Sequence, residues 1–154
     1  PDPGAQPADP ESARTAIETA LDTLYGTSDV ADRDTLIDDP TGVADARAQV
    51  AEGMYADQAG NAAVVVEDLV FTTPTEAWFR YRIETGVTVL DDRYGIAREI
   101  DDTWKITRDT LCQDLAMAGG DCGTGWEPVV PPSAREQPID VIGDPGEILS
   151  SEGE

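Results

Sequence analysis

The sequence predicts an α+β domain in which N-terminal helices pack on one face of an antiparallel sheet and a short helix follows the last strand. Apolar residues recur at helical spacing up to about Gly60, and beyond it they alternate with polar residues. Short polar turns separate the alternating segments, as expected for a meander of antiparallel strands. Helices that come first, with strands that follow one another directly, are typical of this fold class.

The first helix is predicted to begin at Pro10, because Pro-Glu-Ser is a typical helix start, and to end at Gly26. A single apolar stripe along it is formed by Ala13, Ile17, Ala20, Leu21 and Leu24. A short second helix is expected after a cap at Ser28 or Asp29, and Asp38-Asp39-Pro40 should end it. The apolar residues of this second helix are Val30, Leu36 and Ile37.

A third helix is expected to be capped by Thr41 and to end before Gly60. Its apolar positions at helical spacing are Val43, Ala46, Val50 and Met54. A last helix should begin after the strands, with Asp109 or Thr110 as its cap. It carries Leu111, Leu115 and Ala118.

Strands are predicted between these helices, with the clearest period in the second of them. The four predicted strands cover Ala62–Phe71, Glu76–Glu84, Tyr94–Ile100 and Trp104–Arg108. Within the second strand, one face carries Ala77, Phe79, Tyr81 and Ile83, and the other carries Trp78, Arg80, Arg82 and Glu84. Asp101-Asp102 is the expected hairpin turn between the last two strands.

Charge and composition exclude several classes of function. The chain has 32 acidic residues against 10 basic ones, a net charge of −22, so binding to nucleic acid or to an anionic membrane surface is not expected. It has no histidine, which removes histidine-dependent catalysis and metal sites that use imidazole. No apolar run reaches the roughly 18 residues of a membrane span. We therefore expect no catalytic residue, no metal and no cofactor.

Paired acids also lack the spacing of a calcium loop. Asp38-Asp39, Asp91-Asp92 and Asp101-Asp102 are rich in oxygen, but no Asp-x-Asp-x-Asp-Gly pattern is present. The interpretation favoured by the sequence is that these acids belong to solvated turns, and adventitious calcium is the alternative.

The two ends differ in composition from the middle of the chain. Residues 1–11 contain four prolines and read as an extended linker, and residues 127–154 read as an acidic, proline-rich tail. The predicted domain therefore covers residues 12–126. Because the chain does not begin with Met, we expect that a signal peptide, a lipid anchor or a membrane anchor once preceded it.

Cys112 and Cys122 are predicted to form a disulfide bond. They lie ten residues apart, on either side of Gly119-Gly120, and no CxxC or metal-binding spacing is present. Such a bond would join the last helix to the loop that follows it and contribute about 2–3 kcal/mol in the loop-entropy description. It predicts an oxidising compartment, so the expected location is extracytoplasmic, either secreted or anchored to the cell envelope.

The segment from Tyr94 to Cys112 resembles the end of a nuclear-transport-factor-2-like (cystatin-like) domain. More narrowly, Trp104-Lys-Ile-Thr-Arg-Asp-Thr-Leu-Cys112, with Leu115-Ala and Gly119-Gly-Asp-Cys122, is similar to secreted actinobacterial proteins related to the low-molecular-weight mycobacterial antigen family. The resemblance covers roughly residues 12–122. It implies a curved sheet that wraps a long helix to form a cone, and a homodimer through the open face of the sheet as a further possibility. It carries over no catalytic residue.

Two functions fit these observations. The first is a noncatalytic extracytoplasmic domain that binds an as yet unknown protein partner or a small ligand. The second is a small enzyme of the cyclase, isomerase or dehydratase type, with an acid–tyrosine site in the cone, formed by Tyr81 or Tyr94 with Asp68 or Glu84. For ligand binding the candidate residues are Trp78, Arg80, Tyr81, Arg82 and Tyr94, in which arginine and aromatic side chains provide cation–π and carboxylate-binding groups.

Overall fold

The computed structural model describes residues 6–25 and 33–130. Its helical segments are α1 (Pro10–Tyr25), a single 3-10 turn (Arg33–Leu36), α2 (Val43–Ala51), α3 (Ala56–Gly60) and α4 (Arg108–Met117). Its strands are β1 (Ala63–Thr73), β2 (Glu76–Glu84), β3 (Val89–Ile100) and β4 (Thr103–Ile106). The predicted α+β class is therefore confirmed, with helices at the N-terminal side of an antiparallel sheet and a short helix after it.

Helix α1 begins where the sequence predicts it. The Asp9 carboxylate accepts hydrogen bonds from the Ser12 amide (3.1 Å) and the Ser12 hydroxyl (2.8 Å), so it satisfies a free donor of the first turn. These bonds favour the ionised carboxylate and lower the pKa of Asp9. All five residues of the predicted apolar stripe are buried. Gly26, the predicted end of the helix, lies outside the described residues.

The segment between α1 and the sheet differs from the prediction. Ser28, Asp29 and Val30, which were expected to start the second helix, lie outside the described residues, and the part that is described forms only the 3-10 turn. The predicted third helix is divided into α2 and α3. The Gly53 amide bonds to the Val50 carbonyl three residues earlier (3.1 Å), so the α-helical ladder ends there. Met54, expected on the buried face, is 83% exposed.

The predicted cap of α2 is also wrong. The N-cap is Gly42, which has φ of +78° and offers no side-chain cap. The Thr41 hydroxyl instead donates to the Asp39 carboxylate (2.6 Å). A short side-chain bond within the preceding turn therefore competes successfully with capping.

The sheet is a four-stranded antiparallel meander in the order β1-β2-β3-β4. Buried and half-buried residues alternate along β2, as predicted. Strand β3 begins at Val89, five residues before the predicted start at Tyr94. Val89, Leu90 and Arg93 pair with β2, and the polar Asp91-Asp92 lies at an irregularity between them rather than in a loop. At the hairpin turn, Asp101 and Asp102 have φ of +53° and +65°, which fits a two-residue turn between twisted strands.

Helix α1 packs against both edge strands, β1 and β4, so the sheet curves around it. The largest fully buried side chains in the space between them include Tyr81, Phe79, Ile17, Leu21 and Leu24. Trp104 closes this core next to Phe71, with 5.8 Å between the ring centroids. Within the described residues, no helix is both long enough and apolar enough to span a bilayer.

Helix α4 starts earlier than predicted. Its N-cap is Thr107, whose hydroxyl accepts the Thr110 amide (3.3 Å), and not Asp109 or Thr110. Arg108, expected in the last strand, is the first helical residue and is buried. Its guanidinium donates to the carbonyls of Thr41 (2.7 Å), Cys122 (2.9 Å) and Thr124 (3.0 Å). Arg108 therefore ties the segment before α2 to the segment after α4.

The predicted disulfide is present. Cys112 and Cys122 are joined, with 5.9 Å between their Cα atoms, and both are buried. The bond holds the segment after α4 against the start of α2, where a Cβ on Gly42 would overlap the Cys122 carbonyl oxygen.

Candidate functional site

A cavity of about 750 Å³ opens between the C-terminal end of α1, helices α2 to α4 and the adjoining ends of β2 and β3. Its volume lies within the roughly 300–1,000 Å³ that is usual for small-molecule sites. Its walls are mainly aliphatic, and the larger apolar side chains are Leu24, Val50, Ile83, Leu90, Leu111 and Leu115. It is the natural candidate for a binding site in the described part of the chain.

Small side chains on the helical side leave this space open. Helices α2 and α3 and the residues beside them contribute mainly alanine to the wall, namely Ala48, Ala51, Ala56, Ala59 and Ala62. The break between α2 and α3 at Gly53 turns the chain, so both short helices contribute to one wall. The apolar curved sheet and the short alanine-rich helices together produce a pocket rather than a filled core.

Asp114 and Tyr25 are two of the polar residues in the cavity wall. Oδ2 of Asp114 accepts the hydroxyls of Tyr25 and Tyr81, each at 2.5 Å. Oδ1 accepts Nε of Arg93 at 3.0 Å and a second bond from Nη2 of the same guanidinium. Three elements distant in sequence thus converge on one buried carboxylate of α4.

Gln113 fixes the same cluster from the side. Its side-chain nitrogen donates to the Tyr94 carbonyl (2.7 Å) and lies 3.4 Å from the Tyr81 hydroxyl. Its side-chain oxygen accepts the Val129 amide (3.0 Å). The orientation of Tyr81 is therefore set by α4, by β3 and by the segment that follows the disulfide.

Burial controls the titration of this cluster. Burial raises the pKa of the Asp114 carboxyl, and the Arg93 charge and the hydroxyl donors oppose this effect without cancelling it. Burial, followed by the negative charge of Asp114, raises the pKa of Tyr25 and of Tyr81 well above 10.0. Burial lowers the pKa of Arg93, but Asp114 more than reverses this, so its pKa is raised overall. Both tyrosines are therefore neutral hydrogen-bond donors and Arg93 is a cation at neutral pH.

Two arginines, Arg33 and Arg47, line the cavity. Burial, followed by the positive charge of Arg33, lowers the pKa of Arg47. Asp114 is the only carboxylate among the residues that line the cavity in the described part of the chain, and Arg93 is paired with it. The described lining residues therefore include two arginines and one acid in a strongly acidic protein.

The residues predicted from the sequence to bind a ligand lie on two faces of the sheet. Tyr81 points into the core, whereas Trp78 and Tyr94 stack on the opposite face with 5.6 Å between ring centroids. On that outer face Arg80 and Arg82 both pair with Glu67, at 3.1 and 2.9 Å. The structure therefore does not bring the five residues together in one site, and a ligand role for the outer face stays a prediction.

The acidic partner of Tyr81 differs from those considered for the enzyme hypothesis. Its hydroxyl bonds to Asp114, while Asp68 is exposed and Glu84 pairs with Arg82 (2.6 Å). Sequence reasoning missed Tyr25, Arg93 and Asp114. One local signal was present, because Asp114 lies between Leu111 and Leu115 on the apolar face of α4, where an unpaired acid is unfavourable. A metal role finds no support in the described residues, which contain no group of three or more potential ligands.

The fold and the site define a small disulfide-bonded α+β domain with a mainly apolar cavity next to a buried tyrosine–aspartate–arginine cluster. Residues 6–122 match the family described as "Low molecular weight antigen MTB12, C-terminal domain". The match covers most of the chain, and the protein therefore belongs to this family. A comparison with curated proteins and a comparison with solved structures each gave no match.

Proposed function

We propose that the protein is a noncatalytic extracytoplasmic domain whose cavity binds a small, mainly apolar ligand. The observation that carries this proposal is the 750 Å³ cavity with aliphatic walls and a few polar groups at one side. The curvature of the sheet around α1 supports the further proposal that the fold is of the nuclear-transport-factor-2-like type, in which a cone encloses such a cavity. A protein partner and a homodimer stay predictions.

The pairing of Asp114 supports a binding role over catalysis. A carboxylate offers about four acceptor positions, and here two hydroxyls and two guanidinium N–H groups occupy them. A general base needs a free position within hydrogen-bond reach of the proton that it removes. The cluster is therefore best explained as a rigid polar wall of the cavity.

The extracytoplasmic location is supported by two observations. Cys112 and Cys122 form a disulfide, and such bonds persist mainly in oxidising compartments. The family to which the chain belongs is named after an antigen.

A second candidate function is an enzyme of the cyclase, isomerase or dehydratase type. It is favoured by the position of Tyr25 and Asp114 on the wall of an apolar cavity, together with the raised pKa of both groups. In that case the Tyr25 hydroxyl, rather than the saturated carboxylate, would contact the substrate.

Binding of a neutral fluorescent probe, N-phenyl-1-naphthylamine, tests the proposed function. We expect saturable binding to the oxidised protein, and loss of at least 90% of it in Ala59→Trp, which places a large side chain in the cavity wall. Ala44→Trp is the matched control, since Ala44 is exposed on α2 and does not line the cavity. No saturable binding by the wild-type protein, or equal loss in both variants, would contradict the proposal.

Incubation of a medium-chain methyl ketone with the protein in deuterium oxide separates binding from catalysis. A binding domain returns the ketone with the same deuterium content as buffer alone. Exchange accelerated by the protein, and abolished in Tyr25→Phe, would instead favour the enzyme.

A further inference from the structure

We infer that the natural ligand is an amphiphile with an anionic head, of the medium-chain carboxylate type, whose head contacts Arg47 while its apolar chain lies along the aliphatic wall. This inference deepens the proposed function and depends on it. It specifies the chemistry of the ligand, which an apolar cavity alone does not.

Two of the few basic residues of this acidic protein lie at the cavity. The whole chain carries −22, with only 10 basic residues, yet Arg33 and Arg47 both line this one cavity. The only acid among the lining residues in the described ranges, Asp114, is neutralised by Arg93. An anion beside Arg47 would offset the repulsion that the nearby Arg33 charge exerts on it.

Arg47 has hydrogen-bond donors without an acceptor among the described residues. Its guanidinium makes no hydrogen bond or salt bridge within residues 6–25 and 33–130, although it is only half-exposed. By contrast, Arg80, Arg82, Arg93, Arg98 and Arg108 all make hydrogen bonds to carboxylates or carbonyls. A guanidinium carries five N–H donors in a planar fork that matches a carboxylate. Burial lowers the pKa of Arg47, with Tyr25 and Asp34 opposing this effect, and an anion beside the guanidinium would further stabilise its charge.

The apolar side chains of the cavity indicate what the rest of the ligand is. Leu24, Ile83, Leu90, Leu111 and Leu115 provide a continuous aliphatic lining without hydrogen-bonding groups. At the mouth, Tyr55 and Met117 line the cavity and are also 44% and 43% exposed. Val87 and Val89, on either side of the lining residue Thr88, are exposed as well. Such surface favours an alkyl chain over a compact polar anion such as free phosphate.

Three probes that share one chain and differ in the head group test this inference. Decanoate, decanol and decylamine compete with N-phenyl-1-naphthylamine at pH 7, below their aggregation concentrations. We expect decanoate to bind at least tenfold more tightly than decanol, and decylamine to bind most weakly. Arg47→Gln should lower the affinity for decanoate about tenfold and the affinity for decanol much less, whereas Arg47→Lys should retain part of the preference.

Arg14→Gln is the matched control for charge. Arg14 carries the same charge as Arg47, but it is exposed and pairs with Glu18. It lies about 16 Å along α1 from the cavity residue Tyr25. We expect this variant to bind decanoate like the wild-type protein. An equal loss in Arg14→Gln and Arg47→Gln would show that overall charge is responsible and would overturn the inference.

The outcomes separate this inference from the proposed function. Equal affinity for all three probes, or an unchanged decanoate preference in Arg47→Gln, would contradict an anionic head group. Either result would leave the proposal of an apolar binding cavity unaffected. Failure of every probe, including the naphthylamine, overturns the proposed function itself. A circular dichroism spectrum and an unfolding midpoint like those of the wild-type protein show that Arg47→Gln is folded, so that its loss of decanoate binding is specific.

Discussion

At the scale of single residues, Asp114 determines how the inner end of the cavity is built. One carboxylate receives four hydrogen bonds from Tyr25, Tyr81 and Arg93, which come from α1, β2 and β3. Removal of the acid leaves a half-buried cation and two hydroxyls without their acceptor. Such a change destabilises the fold by much more than the intact pair stabilises it. The reason is that the remaining polar groups are shielded from water and cannot replace the lost hydrogen bonds.

Asp114→Ala is therefore expected to lower the free energy of unfolding by about 3–5 kcal/mol. Asp22→Ala, an exposed change on α1, is the control and should alter it by less than about 0.5 kcal/mol. Urea denaturation of the two variants measures the difference. Similar values for both would show that the cluster is not coupled as the structure indicates.

Tyr81, which is buried, and Tyr25, which is half-buried, predict a loss of stability at high pH. The folded-state pKa of each is raised above the ordinary value of 10.0. The stability that the neutral tyrosines contribute is therefore fully present below pH 10 and is lost as the pH rises through the raised pKa. Above pH 10 each tyrosine should steepen the fall in unfolding free energy by about 1.4 kcal/mol per pH unit. In Tyr81→Phe the slope should be smaller by that amount, as urea titrations between pH 9 and 11.5 can measure. An unchanged slope would contradict the raised pKa of Tyr81.

At the scale of elements, the N-terminus of α2 and the loop closed by the disulfide depend on each other. Gly42 combines a φ of +78° with a close approach to the Cys122 carbonyl, and Arg108 bonds to that same carbonyl. A glycine is needed there both for its backbone conformation and for the absence of a Cβ.

Gly42→Ala should accordingly destabilise the protein by more than about 2 kcal/mol, because backbone strain and overlap with a backbone atom act together. Gly119→Ala separates the two effects. Gly119 also has a positive φ, +99°, but a Cβ there would meet nothing within 4 Å. We expect it to cost only about 1 kcal/mol in thermal or urea unfolding. Equal costs would show that the contact with Cys122 is unimportant.

Loss of the disulfide gives a further test at this scale. Replacement of both cysteines by alanine removes a cross-link that closes ten residues, and should lower the free energy of unfolding by about 2–3 kcal/mol. The reduced wild-type protein should show a similar decrease. A change below about 0.5 kcal/mol would mean that packing and Arg108 alone hold this loop.

How far the sequence predicted these elements depends on the range of the interactions involved. Strand β2 and the stripe of α1 were predicted correctly, since their patterns are set by local alternation between core and solvent. The break between α2 and α3 at Gly53 and the early start of β3 were not predicted. Whether a glycine ends a helix, and whether a polar segment forms a strand, depends here on residues that are distant in sequence and close in space. Tyr25 and Asp114 are 89 residues apart, so their bond could not be read from spacing.

At the scale of the whole molecule, a strongly acidic chain has two of its 10 basic residues, Arg33 and Arg47, on the wall of one cavity. The same topology explains both the core and the cavity. The sheet closes on α1 at one end, while α2 and α3 are too short and too rich in alanine to fill the other. The sequence-predicted ligand residues on the outer face, such as Trp78 and Arg82, form a second surface with stacked rings and ion pairs.

Amide chemical-shift mapping of the oxidised, ¹⁵N-labelled protein during titration with N-phenyl-1-naphthylamine is the most direct test of the central claim. The account predicts saturable shifts at residues that line the cavity, such as Ala48, Ala59, Thr88 and Leu111. It predicts no comparable change at Arg80 or Arg82 on the outer face of the sheet. Saturable shifts confined to the outer face, or none anywhere, would contradict a ligand-binding cavity.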